Sequence, residues 1–124
     1  MTKPVRIRLS RKKGFNLQRH SLATNGLPAV VVARPGPLGN PFKVEMAAEA
    51  GFQNPAKTAV HAFEDWLNGD LWAYPCQRIP TERQRDAIIA RIPELRGFNL
   101  ACWCRLDAPC HADVLLKLAC EAAP

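Results

Sequence analysis

A chain of 124 residues, 48% hydrophobic and 23% charged with a formal net charge of +6, is long enough for one core and has the balance of a globular domain. That excludes a disordered tail, and the absence of any apolar run near the roughly 20 residues needed to cross a bilayer argues against a spanning helix. The start, "MTKPVRIRLSRKK", lacks the apolar stretch of a secretory signal, so the expectation is one domain over residues 1–124, cytoplasmic, whose five cysteines are reduced thiols rather than a disulfide framework.

The positive charge is concentrated at the front. Through Lys43 there are nine Lys or Arg and no Asp or Glu, against eight basic and eleven acidic residues afterwards. Residues 1–43 thus form a basic part that either attracts phosphates or merely solvates a face, with Arg11, Lys12 and Lys13 the candidate nucleic-acid contacts. Within it, "VRIRLS" (5–10) alternates Val5, Ile7 and Leu9 with Arg6, Arg8 and Ser10, the period of a strand with one wet face. Residues 11–27, with Gly14, Asn16 and Asn25-Gly26, read as a long loop or hairpin-like excursion. "AVVVA" (29–33) is a continuous β-branched run, expected at the centre of a sheet.

"RPGPLGNPF" (34–42) carries three prolines and two glycines in nine positions, which rules out a helix or a central strand. A loop with so few unfolded conformations can hold Arg34 and Asn40 in fixed directions as a binding wall; the plainer reading is a stiff connection. From Pro55, "PAKTAVHAFEDWLNG" places Ala59, Val60, Phe63, Trp66 and Leu67 at helical spacing and stops at Asn68-Gly69, leaving His61 on the surface. "DLWAYPCQRIP" reads as a loop in which Cys76 has no partner in sequence. "TERQRDAIIARI" opens on a Thr81–Gln84 capping box and is expected to turn Ile88, Ile89 and Ile92 inward.

"FNLACWC" (98–104) is the third strand. Alternation sends Leu100, Cys102 and Cys104 to one face and Ala101 and Trp103 to the other. After Arg105, Asp107 and Pro109 provide helix-entry chemistry, and "HADVLLKLACEA" sets Val114, Leu115, Leu118 and Ala119 on an apolar stripe. Cys120 reads as a small buried hydrophobe. Cys110 and His111 are expected in the first helical turn, where unpaired N–H groups favour a thiolate or an anion.

"VVVARPGPLGNPF" and "LRGFNLACWCRLDAPCHADVLL" resemble a family of small uncharacterised bacterial and phage proteins known only as a domain of unknown function, over residues 5 to 120. The ending is also similar to a more distant uncharacterised group in which a cysteine strand precedes a Cys-His-Arg helix start; Ala112 stands where that group has arginine. The resemblance implies an α/β layout and a bacterial or phage setting, and it assigns no activity.

The expected fold is therefore α/β, a small, mainly parallel, Rossmann-like sheet with helices packed on it. Ligands bind beyond the carboxyl ends of such strands, where "AVVVA" leads to Arg34 and "NLACW" leads to Cys104. Two functions remain open. One is a pocket binding, or transforming, a phosphate-bearing small molecule such as a nucleotide, with Arg34, Asn40 and Asp113 as ligand contacts, Cys104 or Cys110 as nucleophile and His111 as general acid or base. The other is a non-enzymatic nucleic-acid-binding module with structural or zinc-bound cysteines. Zinc accepts Cys102, Cys104, Cys110 and His111 as a set, but Cys-x-Cys followed by an adjacent Cys-His is not its usual spacing, and adjacent helical residues diverge by about 100 degrees, so no metal is favoured.

Overall fold

The computed structural model describes residues 3–34, 36–70 and 80–121. Three short strands, β1 (Arg6–Arg8), β2 (Ala29–Val31) and β3 (Asn99–Cys102), form one parallel sheet in the order β1-β3-β2. The small parallel sheet expected from sequence is thus present. Ile7 lies opposite Ala101, and Val30 opposite Leu100. Parallel neighbours need crossovers, and the chain supplies them with α1 (Leu17–Asn25) between β1 and β2. Helices α2 (Val44–Glu49), α3 (Pro55–Leu67) and α4 (Glu82–Arg91), with a 3-10 turn at Ile92–Leu95, lead from β2 to β3, and α5 (His111–Glu121) follows.

β3, not "AVVVA", is the central strand. All four of its residues are buried, whereas Val31 of β2 is 48% exposed. The last strand is inserted between the first two, an order that local sequence does not encode. Leu100 and Cys102 face the main core, where Val32, Leu38, Phe42, Phe63, Trp66 and Leu115 pack together. Ile7, Ala29 and Ala101 form a smaller cluster on the other face.

Residues 11–27 are also not a simple loop, because they contain α1. Asn16 caps it by accepting from the Arg19 N–H at 3.0 Å. Gly26 ends it in the left-handed region at φ 79°, its N–H bonded to the Leu22 carbonyl. Asn25-Gly26 is therefore a helix stop rather than a hairpin turn, two structures that use the same pair for the same positive φ. The helix buries Ser21 alone, so polar contacts fasten it. The buried Asn99 side chain donates to Ser21 Oγ (2.7 Å) and exchanges two 2.8 Å bonds with Asn25. Its Oδ1 also accepts from the Val5 N–H at 2.9 Å. Gln18 meanwhile pairs with both backbone groups of Ala29, each bond 2.9 Å.

Helix α3 starts at Pro55 behind Asn54, which accepts from the Lys57 N–H, and buries Ala59, Ala62, Phe63, Trp66 and Leu67; Val60 is only partly covered and His61 is exposed. The Thr81–Gln84 capping box forms as expected. Ile89 does not turn inward: it is 41% exposed while Ile88 and Ile92 are buried, because residues four apart share a helical face and adjacent ones do not. Cys120 is likewise exposed, its neighbour Ala119 taking the buried position. Cys76 and the loop expected around it lie outside the described residues. No helix among the described residues is long and apolar enough to cross a membrane.

Candidate functional site

With β3 in the middle, its carboxyl end is flanked by the ends of both other strands. Leu9 N–H bonds to the Cys102 carbonyl at 2.8 Å on one side and Val32 N–H to the Ala101 carbonyl at 2.9 Å on the other. The basic loop after β1, the Pro-Gly loop after β2 and "CWC" are thereby drawn to one edge. Helix α5 then returns along the sheet and brings Cys110 and His111 to the same place.

The donor atoms of Cys102, Cys110 and His111 all lie within 4.8 Å of one another. Cys104 Sγ is 3.8 Å from Cys102 Sγ, and Cys110 Sγ is 3.7 Å from His111 Nδ1. These four residues can hold a metal ion. Spacing along the chain disfavours such a set, and the structure departs from that expectation for a physical reason. Helix α5 begins at His111, so Cys110 is not bound by helical geometry and its sulfur turns to the side that Nδ1 faces. A local loop is not what gathers the ligands, since strand end and helix start arrive from different elements.

The histidine is oriented as a ligand requires. Its Nε2–H donates to the Val32 carbonyl at 2.7 Å; a carbonyl only accepts, so the proton resides on Nε2 and Nδ1 presents its lone pair to the thiols. The Phe63 ring packs edge-on against the imidazole, 5.4 Å between centroids. Burial is the main influence holding His111 below its ordinary value and hence neutral, and the charge of Arg34 acts in the same direction. The three thiols do not ionise independently. Cys102 is held well below the usual thiol range, first by the hydrogen bond from Cys104 and then by that from Cys110. Cys104 and Cys110 are pushed up, each first through its hydrogen bond to Cys102. The three sulfurs thus titrate as one group rather than as separate thiols.

A cavity of about 230 Å³ opens beside this cluster, lined by Arg34, Asn40, Trp103, Cys104, Cys110 and His111 together with apolar residues of the Pro-Gly loop and α3. Arg34, Cys104, Cys110 and His111 are thus brought together. Arg34 is exposed and is seated by Gly39, where an added Cβ would lie 2.6 Å from its Cγ and 2.9 Å from its Cα. Asn40 is buried with its carboxamide engaged: it donates to the Ala59 carbonyl (3.1 Å) and accepts from the Phe42 N–H (2.9 Å), fixing the loop against α3. Asp113 does not line the cavity; it lies 3.4 Å from Arg6, whose guanidinium also donates to the carbonyls of Arg105 and Leu106. Arg11, Lys12 and Lys13 are exposed on the loop after β1, with the Arg11 guanidinium 4.6 Å above the Trp103 ring.

Sequence patterns leave two contributors unmarked. Gly39 is one; the Val32 carbonyl is the other, and a backbone atom leaves no composition signal. Alternation alone places Trp103, though an indole between two cysteines is an available cue. Among curated proteins and among solved structures none matches the chain significantly. The family described as "Domain of unknown function (DUF4326)" matches residues 15–121, a span that holds the Pro-Gly loop, the cysteine strand and the Cys-His helix start alike, and the chain belongs to that family.

Proposed function

We propose that Cys102, Cys104, Cys110 and His111 bind one zinc ion, and that this centre fixes the wall of a pocket in which Arg34 holds a phosphate-bearing small molecule of the nucleotide class. The observation that carries the reading is the donor geometry. Zinc–sulfur bonds of about 2.3 Å in a tetrahedron put two sulfurs about 3.8 Å apart and a sulfur and an imidazole nitrogen about 3.6 Å apart. The separations of 3.8 and 3.7 Å in the cluster sit on those edges. Among Cys102, Cys110 and His111 the donor atoms lie within 4.8 Å of one another, so those three reach tetrahedral edges with a contraction of about 1 Å at most.

Three thiolates and one imidazole complete four-coordination, the pattern of a structural rather than an open site. Cys104, Cys110 and His111 then act as ligands instead of nucleophile and acid–base pair, and the zinc ties the end of β3 to the start of α5. Arg34 supplies a planar, permanently charged fork for phosphate oxygens. Neutral Nδ1 on an imidazole held from behind by a carbonyl also favours metal over proton traffic.

Protein purified without chelator should contain about one zinc per chain by elemental analysis. Cobalt exchanged into the site should give thiolate charge-transfer bands and the visible envelope of a tetrahedral ion. Cys110→Ser should lose the metal and most of the thermal stability, because structural zinc contributes to folding directly. A metal-free, fully folded protein with no cobalt spectrum would overturn the metal half of the reading. The pocket half fails separately, if Arg34→Ala leaves nucleoside monophosphate affinity unchanged.

A further inference from the structure

We infer that the phosphate held at Arg34 belongs to a single strand of nucleic acid, one base of which stacks on Trp103 while Arg8 and Arg11 take the phosphate on the far side of that base. The inference rests on Arg34 being a phosphate contact, as proposed above, and replaces the free nucleotide of that reading by a nucleotide within a strand.

Trp103 is 43% exposed although it stands between Cys102 and Cys104 on the end of the central strand. A large aromatic side chain left half in water needs a reason, and here its backbone is anchored on both sides by the thiol cluster. Arg11 lies over the ring at 4.6 Å, which marks that face as one where a flat, delocalised group seats well. A base taking that seat frees the guanidinium for a phosphate.

The indole is also a shared wall. It lines both the cavity with Arg34 and an open concavity of about 440 Å³ lined by Arg8, Leu9, Ser10, Arg11 and Trp103. Cations therefore adjoin the indole in both cavities. A mononucleotide carries its phosphates at one end only, whereas an internal nucleotide of a strand has one on each side. Among the described residues no ion pair with a carboxylate involves Arg8, Arg11 or Arg34, while Arg6, Arg85, Arg91, Arg105 and Lys117 each have one. Lys12 and Lys13 extend the same charge outward, in a stretch with no acidic residue before Glu45.

Single strands fit this surface better than duplexes. A base reaches an aromatic platform only when it is unstacked, and stacking of this kind tolerates any sequence. Among the described residues this edge is built of three short strand ends, their loops and the buried start of α5, whereas a major groove is read by a projecting helix or ribbon.

The test uses the full zinc-loaded chain and a labelled oligothymidylate of about a dozen nucleotides, within the range of known single-strand sites. Fluorescence anisotropy should show binding tighter than that of thymidine monophosphate or of a duplex of equal length, with tryptophan quenching that disappears in Trp103→Phe. Trp103→Ala should weaken binding about fivefold or more. The joint Arg8→Ala, Arg11→Ala variant should lower the slope of log affinity against log salt by about 0.7 for each phosphate that is no longer neutralised. Should Trp103→Ala lose zinc, the salt slope of the arginine variant decides alone, and an unchanged slope overturns the inference. So does a monophosphate or duplex that binds as tightly as the oligonucleotide; if that monophosphate still depends on Arg34, the pocket reading survives. If Arg34→Ala affects no phosphate compound, it is the pocket reading that falls.

Discussion

Replacing Gly39 by alanine should disable the pocket without substituting any residue proposed to contact the ligand. An ideal Cβ at this position lies 2.6 Å from Arg34 Cγ, 2.9 Å from its Cα and 3.0 Å from its backbone nitrogen. The Cγ can rotate away, but the two backbone atoms move only if the loop between β2 and α2 moves with them. Forcing a methyl group into such a contact costs about 1–3 kcal/mol, and the lower end applies because the loop is at the surface. The larger effect falls on Arg34. Hydrogen bonds between arginine and a charged partner contribute about 1.5–3 kcal/mol, so displacing the guanidinium should weaken nucleotide binding about 10- to 150-fold. Isothermal titration of a nucleoside monophosphate into wild type, Gly39→Ala, Arg34→Ala and the double variant measures this, with zinc content as the control for an intact centre. If Gly39 acts through Arg34, the double variant binds no worse than Arg34→Ala alone. Additive losses, or a Gly39→Ala protein with wild-type affinity, would refute the reasoning.

Asn99→Leu should lower stability by about 2–4 kcal/mol, since it leaves the Val5 N–H without its acceptor and removes one bond from Ser21 and two from Asn25, which keep their contacts to Leu27 and Lys3; urea melts showing a loss below about 1 kcal/mol would contradict the network's role. Cys120→Ser should be neutral within about 0.5 kcal/mol because its side chain is exposed, whereas Cys110→Ser should destabilise the metal-loaded protein strongly; equal melting temperatures for the two would remove the distinction. Acidification should release the metal, because protons compete for three thiolates and one imidazole, so affinity falls as pH falls. A zinc-sensitive dye followed across a pH series checks this, and metal retained in strong acid would show that these are not its ligands.

Much of the site was legible in the sequence because its parts are local. Alternation alone put Cys102 and Cys104 on one face, and the Pro-Gly composition of 34–42 marked a stiff loop after a strand. Their meeting was legible only conditionally, since it depended on β2 and β3 pairing in parallel, which the register confirms. What was not legible followed from ambiguity or from distance. Asn25-Gly26 serves a helix end as well as a hairpin, and α1 has too little apolar surface to announce itself. The central place of β3 is decided by which strand is inserted last. The metal-ligand geometry was hidden because spacing rules describe ligands gathered by one loop, and Cys110 escapes the helical divergence by standing one residue before α5.

Gln18 sets a limit on what this sheet can become. In a parallel strand alternate residues turn their N–H and C=O outward, and at β2 the outward pair of Ala29 is taken by one carboxamide, which donates with its nitrogen and accepts with its oxygen. A side chain on α1 thus imitates the backbone of a neighbour that is not there. An incoming strand, from another copy or from an unfolded segment, would have to break both bonds together before it could pair at Ala29. Exposed strand edges are the usual starting points of aggregation, and on this side a single glutamine shortens the open edge by occupying both outward groups of Ala29.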